Sequence, residues 1–260
     1  MRGMIFAAGL GTRLKPLTDT MPKALVPLAG KPLLQWQVEK LRDAGITDII
    51  VNVHHFPDMI IDTVRRNNGW GCNILISDER DQLLDTGGGL KKAKFEIINH
   101  KFEMANEPIL ACNVDILSNI DLRALINEYE RINTLPSGRD GVGLLVVSDR
   151  KTQRYLCFDE QDRLCGWTNI ATGELKGQDG RHLAFSGCQI LSPEVLAMLQ
   201  QYPADKFSLI DFYMAICEKQ IINHKFETIN LKAFIPNDYK MMDVGKIDQI
   251  EQAEIFAQSL

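Results

Sequence analysis

From Met4 to about residue 130, short β-branched runs alternate with stretches of helical period, which restricts the chain to repeated βα units around a largely parallel sheet. Strands are predicted over 4–8, 48–53, 73–77 and 109–113. Helices are predicted over 33–44, 58–66 and 90–98; Leu34, Val38 and Leu41 share a face of the first, and Gly45 stops it. After Gly141 the pattern changes: a strand over 142–147 leads to a hairpin whose arms, 155–158 and 164–167, flank a polar turn at 159–162. The polar, glycine-bearing stretch 168–181 reads as a loop over a site or on the surface. Helices are expected over 193–201, 209–218 and 246–258. No internal repeat and no proline-rich linker divides the chain, so 1–260 is read as one domain.

Its 260 residues, 45% hydrophobic, are enough to bury a core without disulfides. A net charge of −5 leaves no basic excess for nucleic acid or an anionic membrane. The apolar run at Met4 to Ala8 is too short for a signal segment, and no later run reaches the roughly 18 residues of a membrane span, so a cytoplasmic location is expected. None of the six cysteines has a partner at the two-residue separation of a zinc or redox pair. Cys112, Cys157 and Cys188 lie in apolar runs and read as small fillers.

Chemistry enters at the end of the first strand, where Ala7 and Ala8 run into Gly9, Leu10, Gly11, Thr12 and Arg13. Backbone amides in such a glycine turn can face a phosphate as an anion nest. The order is neither the dinucleotide GxGxxG nor the P-loop GxxxxGK[ST], which counts against a dehydrogenase or a P-loop ATPase. Alone, the turn is only a tight connection. Ten residues beyond Arg13, however, comes Lys23 within PKAL, and the connection from Gly9 to Pro32 is too long for a routine βα turn. Arg13 can fork onto phosphate oxygens, and Lys23 offers a point charge to a second phosphate.

Two further constellations supply what a phosphate cradle lacks. Asp85, Thr86 and the triplet Gly87, Gly88, Gly89 precede a helix, where exposed backbone groups can meet the edge of a base. Asn113, Val114 and Asp115 follow an apolar strand, and Asp243 ends another apolar run far along the chain. Two carboxylates from distant segments suit magnesium, which takes one or two and fills its other positions with water and phosphate oxygens. His54 and His55 have no partner acid or metal-ligand pattern and read as surface cover.

The stretch FAAGLGTRLKPLTDTMPKALVPLAGKPLLQW resembles the amino-terminal signature of sugar-phosphate nucleotidyltransferases, and the similarity runs along nearly the whole chain. The resemblance implies a Rossmann-like (GT-A-like) α/β domain with a mixed, mostly parallel sheet. It further implies nucleotide binding by 1–130 and sugar binding by 131–260, with a nucleoside triphosphate and a sugar 1-phosphate as substrates. By this likeness Ala8, Gly9, Gly11, Thr12, Arg13, Thr86, Gly87, Gly88 and Asn113 would hold the nucleotide. Arg13 and Lys23 would be catalytic, and Asp115 and Asp243 would hold Mg2+. The DTGGG form resembles that of short uridylyltransferases acting on N-acetylmuramate 1-phosphate, while guanylyltransferases acting on mannose or heptose 1-phosphate are the alternative. NVD departs from the family's usual glycine before the acid, having Val114 there. Phe185, Ser186 and Gly187 resemble a sugar-facing strand end, with Asn169 and Glu174 completing the pocket from the loop near Trp167. No hexapeptide repeats occur before Leu260, so an appended acyltransferase β-helix is not expected. A regulatory protein that binds nucleotide sugars without turnover is the reading of another class.

Overall fold

A central sheet organises the chain, which the computed structural model describes over residues 1–99, 106–134, 142–218 and 230–260. The boundary expected at Gly141 lies outside the described residues. In chain order the elements are β1 (Arg2–Phe6), β2 (Pro27–Leu28), β3 (Lys31–Pro32), α1 (Leu33–Asp43), β4 (Asp48–Val53), α2 (Pro57–Arg66), β5 (Asn73–Asp78) and α3 (Asp85–Asn99). There follow β6 (Ile109–Asn113), β7 (Ile116–Ser118), α4 (Leu122–Asn133), β8 (Val142–Ser148), β9 (Arg154–Phe158), β10 (Leu164–Asn169), β11 (Glu174–Gly177) and β12 (Arg181–Leu191). The chain closes with α5 (Pro193–Gln200), α6 (Leu209–Cys217), β13 (Asn230–Phe234), β14 (Met241–Asp243) and α7 (Ile250–Gln258).

β5, β4, β1 and β6 lie side by side and parallel, so the connection through α3 carries the chain from one edge of this group to the far side of β1. That reversal leaves a crevice beyond the carboxyl ends of β1 and β6, the place where open α/β sheets bind ligands. β12 runs antiparallel to β6 and forks the sheet: its end at Cys188 to Leu191 pairs with β6 and β8, and its start at Arg181 to Leu183 pairs with β9.

Strand alternation splits the core into two layers. Ile5 faces α1, α2, α4 and α7, whereas Met4 faces α3, α5 and α6. Fully buried side chains such as Leu33, Leu34 and Phe212 each contribute about 1.5–3 kcal/mol of apolar burial. Some helix starts are capped by a side chain. Asp121 accepts from the Arg123 and Ala124 amides at α4, and Ser208 forms a reciprocal capping box with Asp211 at α6. No helix among the described residues is long and apolar enough to cross a membrane.

Several boundaries differ from the sequence reading, each for a local reason. β1 ends at Phe6 instead of Ala8, because the Ala7 amide leaves the ladder and donates to the Asn52 side chain. α3 begins at Asp85, not Leu90, so the glycine triplet lies inside its first turns. The supposed loop 168–181 contains β11, a short polar strand that pairs its backbone with β10 at the sheet edge. Phe185 to Gly187 is no strand end but the middle of β12, where the register against β8 shifts and Gly187 takes φ 66°. The last helix starts at Ile250, after a 3-10 turn over Ile247–Gln249.

Candidate active site

The glycine turn leaves β1 with its backbone fixed at both sides. Ala7 N–H donates to Asn52 Oδ1 at 2.8 Å, and Val114 N–H donates to the Phe6 carbonyl at 3.2 Å, setting the NVD segment against the turn. Gly11 sits at φ 64°, and a Cβ there would lie 2.8 Å from Thr18 Cγ2 and 3.1 Å from Lys23 Cβ. Only glycine both reaches that conformation cheaply and lets the turn close onto Thr18, whose hydroxyl donates to the Gly11 carbonyl at 2.8 Å.

The turn forms one wall of an open cleft of about 230 Å³, whose lining includes Gly9, Gly11, Thr12, Arg13, Lys23, Thr86, Asn113 and Asp115. Lys23, only 8% exposed, is ion-paired with Asp115. Arg13 Nη2 lies 3.6 Å from Asp243 Oδ2. The two acids come together because β14 pairs with β7, placing Asp243 opposite Ile116, and because Val244 N–H donates to the Asp115 carbonyl at 2.8 Å. Lys23 thus faces Asp115 while Arg13 faces Asp243.

Asp243 Oδ1 is buried and accepts no hydrogen bond. A buried carboxylate oxygen with no donor is costly unless something positive meets it. Hard oxygen donors from two carboxylates next to a phosphate-sized cleft match what magnesium takes from a protein, so these residues fit the ion.

The other sequence-derived residues divide. Thr86 lines the cleft and accepts from Leu209 N–H at 3.0 Å. Gly87 and Gly88 do not line it: both amides donate to the Phe207 carbonyl, at 2.9 and 3.2 Å. A Cβ on Gly88 would lie 2.1 Å from the Asp205 carbonyl oxygen, and one on Gly87 2.4 Å from the Phe207 ring. These two amides are thus taken by the segment before α6, against which the triplet packs closely. Ala8 is buried behind the turn. Gly187 lies under Asn113, where a Cβ would approach Asn113 Nδ2 to 2.6 Å, so it bears on the cleft through that side chain. Asn169 and Glu174 pair with each other across the β10–β11 hairpin and do not line the cleft. Val114, in place of glycine, packs its side chain into the core at 4% exposure.

Several further residues bear on the site or its surroundings. Asn52 passes its Ala7 contact on: its Nδ2 donates to Glu79 Oε1 at 2.7 Å, and Glu79 Oε2 accepts from Leu84 N–H at 3.1 Å. Burial pushes the Glu79 carboxyl above its usual range, against the lowering effect of these two hydrogen bonds. The signal was an asparagine within the apolar run DIIVNV and an acid just past the next strand. Gly245 also lines the cleft, and a Cβ there would lie 2.5 Å from Asp243 Oδ1 and 2.6 Å from Arg13 Nη2. The histidines are more than surface cover. His54 Nδ1 donates to the Glu79 carbonyl at 2.7 Å, and His55 Nε2 donates to the Thr18 carbonyl at 3.2 Å.

Comparison with known proteins places the whole chain in a family. The Nucleotidyl transferase family model matches residues 2–259. An N-acetylmuramate alpha-1-phosphate uridylyltransferase of Caulobacter vibrioides is 42% identical over 222 residues, 81% of this chain and 81% of that protein. One of Neisseria meningitidis serogroup B is 37% identical over 136 residues, 52% of this chain and 54% of that protein, just over half its length. A UDP-glucose pyrophosphorylase solved with UDP-glucose superposes with a TM-score of 0.73 at 18% identity, covering 100% of this chain and 99% of that one, a likeness of fold.

Proposed function

The chain belongs to the nucleotidyl transferase family, and from that premise we propose that it transfers a uridylyl group from UTP to N-acetylmuramate 1-phosphate. The observation that carries this reading is the convergence of Arg13, Lys23, Asn113 and Asp115 on one cleft beside a glycine turn. The choice of base and sugar is supported by the two uridylyltransferase relatives.

An oxygen of the sugar 1-phosphate attacks the α-phosphorus of the triphosphate. The bond from that phosphorus to the α,β-bridging oxygen breaks, and pyrophosphate leaves with the electron pair. A sugar phosphate is ionised at neutral pH, so neither a protein nucleophile nor a general base is needed. The task is to align two polyanions and offset the charge that develops. The amides of the Gly9 to Thr12 turn take phosphate oxygens, Arg13 neutralises the departing pyrophosphate, and Lys23 aligns the reacting phosphates. Asp115 and Asp243 would hold Mg2+, which when bound supplies charge neutralisation between phosphate groups. Thr86 and Asn113 orient the nucleotide within the 1–130 part. The sugar lies toward the 131–260 part, where Gly187 sets the Asn113 side chain.

The test is a panel: each nucleoside triphosphate with each of several sugar 1-phosphates and magnesium, followed by pyrophosphate release. UTP with N-acetylmuramate 1-phosphate should be fastest. Faster turnover of GTP with mannose or heptose 1-phosphate would replace the substrates, and no magnesium-dependent release with any pair would leave a binding protein.

A further inference from the structure

Away from the cleft, the described residues contain one group of three side chains able to share a metal ion: Cys157, Asp179 and His182, whose donor atoms lie within 4.8 Å of one another. They come from three places. Cys157 is on β9, His182 is its direct partner across the β9–β12 ladder, and Asp179 is in the turn leading into β12. Because cross-strand pairing and not a short repeat brings them together, no cysteine spacing in the sequence announces them.

The geometry is close to that of a bound ion. Asp179 Oδ1 lies 3.9 Å from Cys157 Sγ and 2.6 Å from His182 Nε2. Sulfur, nitrogen and oxygen donors about 2.0–2.3 Å from a tetrahedral zinc stand about 3.3–3.8 Å apart. The Cys157 to Asp179 separation is already near that figure, and the His182 to Asp179 pair needs to open by under about 1 Å. Those two side chains are 37% and 65% exposed and free to adjust, while Cys157 is held in a buried strand. The Tyr155 ring stacks on His182 with centroids 5.7 Å apart and keeps the imidazole facing the turn. Gly180 holds the turn against β9, for a Cβ there would lie 2.4 Å from the Phe158 carbonyl oxygen.

We propose that Cys157, Asp179 and His182 form a zinc site that fastens the turn at 178–180 to β9 and β12. A thiolate with an imidazole and a carboxylate selects zinc over magnesium, since magnesium prefers oxygen donors alone. The Cys157 thiol gives up its proton to solvent as the ion binds, and the fourth position stays open on the exposed side of the cluster.

The experiment uses the full chain stripped of metal and titrated with Co2+ as a spectroscopic probe, then with Zn2+ against a chromophoric chelator. One Co2+ per chain should bind with a thiolate-to-cobalt charge-transfer band that Zn2+ bleaches and excess Mg2+ leaves unchanged. His182→Ala and Asp179→Asn should each weaken Zn2+ binding by at least about 100-fold, and Cys157→Ala should remove the band. His182 is exposed, so its variant tests the site even where the buried cysteine variant fails to fold. Asp115→Asn should keep the band. Absence of the band in the parent chain, its survival in His182→Ala, or its loss in Asp115→Asn would overturn the assignment.

Discussion

Asn52 and Glu79 are joined by a buried 2.7 Å hydrogen bond that links the glycine turn to the entrance of α3. Asn52 accepts from the Ala7 amide and Glu79 from the Leu84 amide, so two polar side chains tie the ends of two separate strands to the backbone of the site. Asn52→Ala would orphan the Ala7 amide and one Glu79 oxygen. We expect a loss of at least about 2 kcal/mol in urea unfolding, since each buried orphan costs about 1–3 kcal/mol. Unchanged stability would mean that water replaces the relay.

Glu79 also gives a sign to the pH dependence. Burial raises its carboxyl above the ordinary 4.5, so the folded chain holds this proton more tightly than the unfolded chain does. The stability this contributes is present below the unfolded value and is lost as pH rises through the folded one. Relative to Glu79→Gln, the parent chain should therefore lose stability as pH climbs from about 4.5. Denaturant midpoints measured for both proteins across that window check it; a constant gap contradicts it.

Lys23 should be worth at least about 100-fold in turnover if it meets charge that develops during the reaction. Lys23→Ala also leaves Asp115 without its counter-ion, so Lys23→Ala with Asp115→Asn should lose little beyond the worse single variant. Initial-rate kinetics on the three proteins measure this, and fully additive losses would separate the roles of the two residues.

Gly245→Ala separates geometry from folding. The atoms nearest the added Cβ are the ends of two side chains, Asp243 and Arg13, so the stability change should stay within about 1 kcal/mol. Displacing either group should lower kcat/KM by about 10- to 100-fold. Parent-like kinetics would mean that the Arg13 to Asp243 pair is slack.

Much of this site is legible in the chain because it is written locally. A strand running into GLGTR, a lysine in PKAL and an acid after an apolar strand each name their own neighbours. The parallel sheet was equally plain, since β4 and β6 are runs of apolar residues bounded by polar ones. What the sequence hides depends on distant backbone. The triplet looks like an open helix entry until the Phe207 carbonyl takes two of its amides. β11 is a strand only because β10 lies beside it, and its residues ELKG carry no alternation to announce that. Asn169 and Glu174 read as loop residues from sequence alone, and only the β10–β11 ladder reveals them as cross-strand partners.

The fork at β12 has a mechanical consequence. One continuous strand hydrogen-bonds to β6 at one end and to β9 at the other, so the β9–β11 extension and the cleft strand share a single backbone. Opening the extension by pulling β12 away also strips β6, whose last residue is Asn113 at the cleft. The region carrying Cys157 and the region carrying Asp115 are therefore expected to open together when β12 itself peels away, with amide exchange rising on both sides at once.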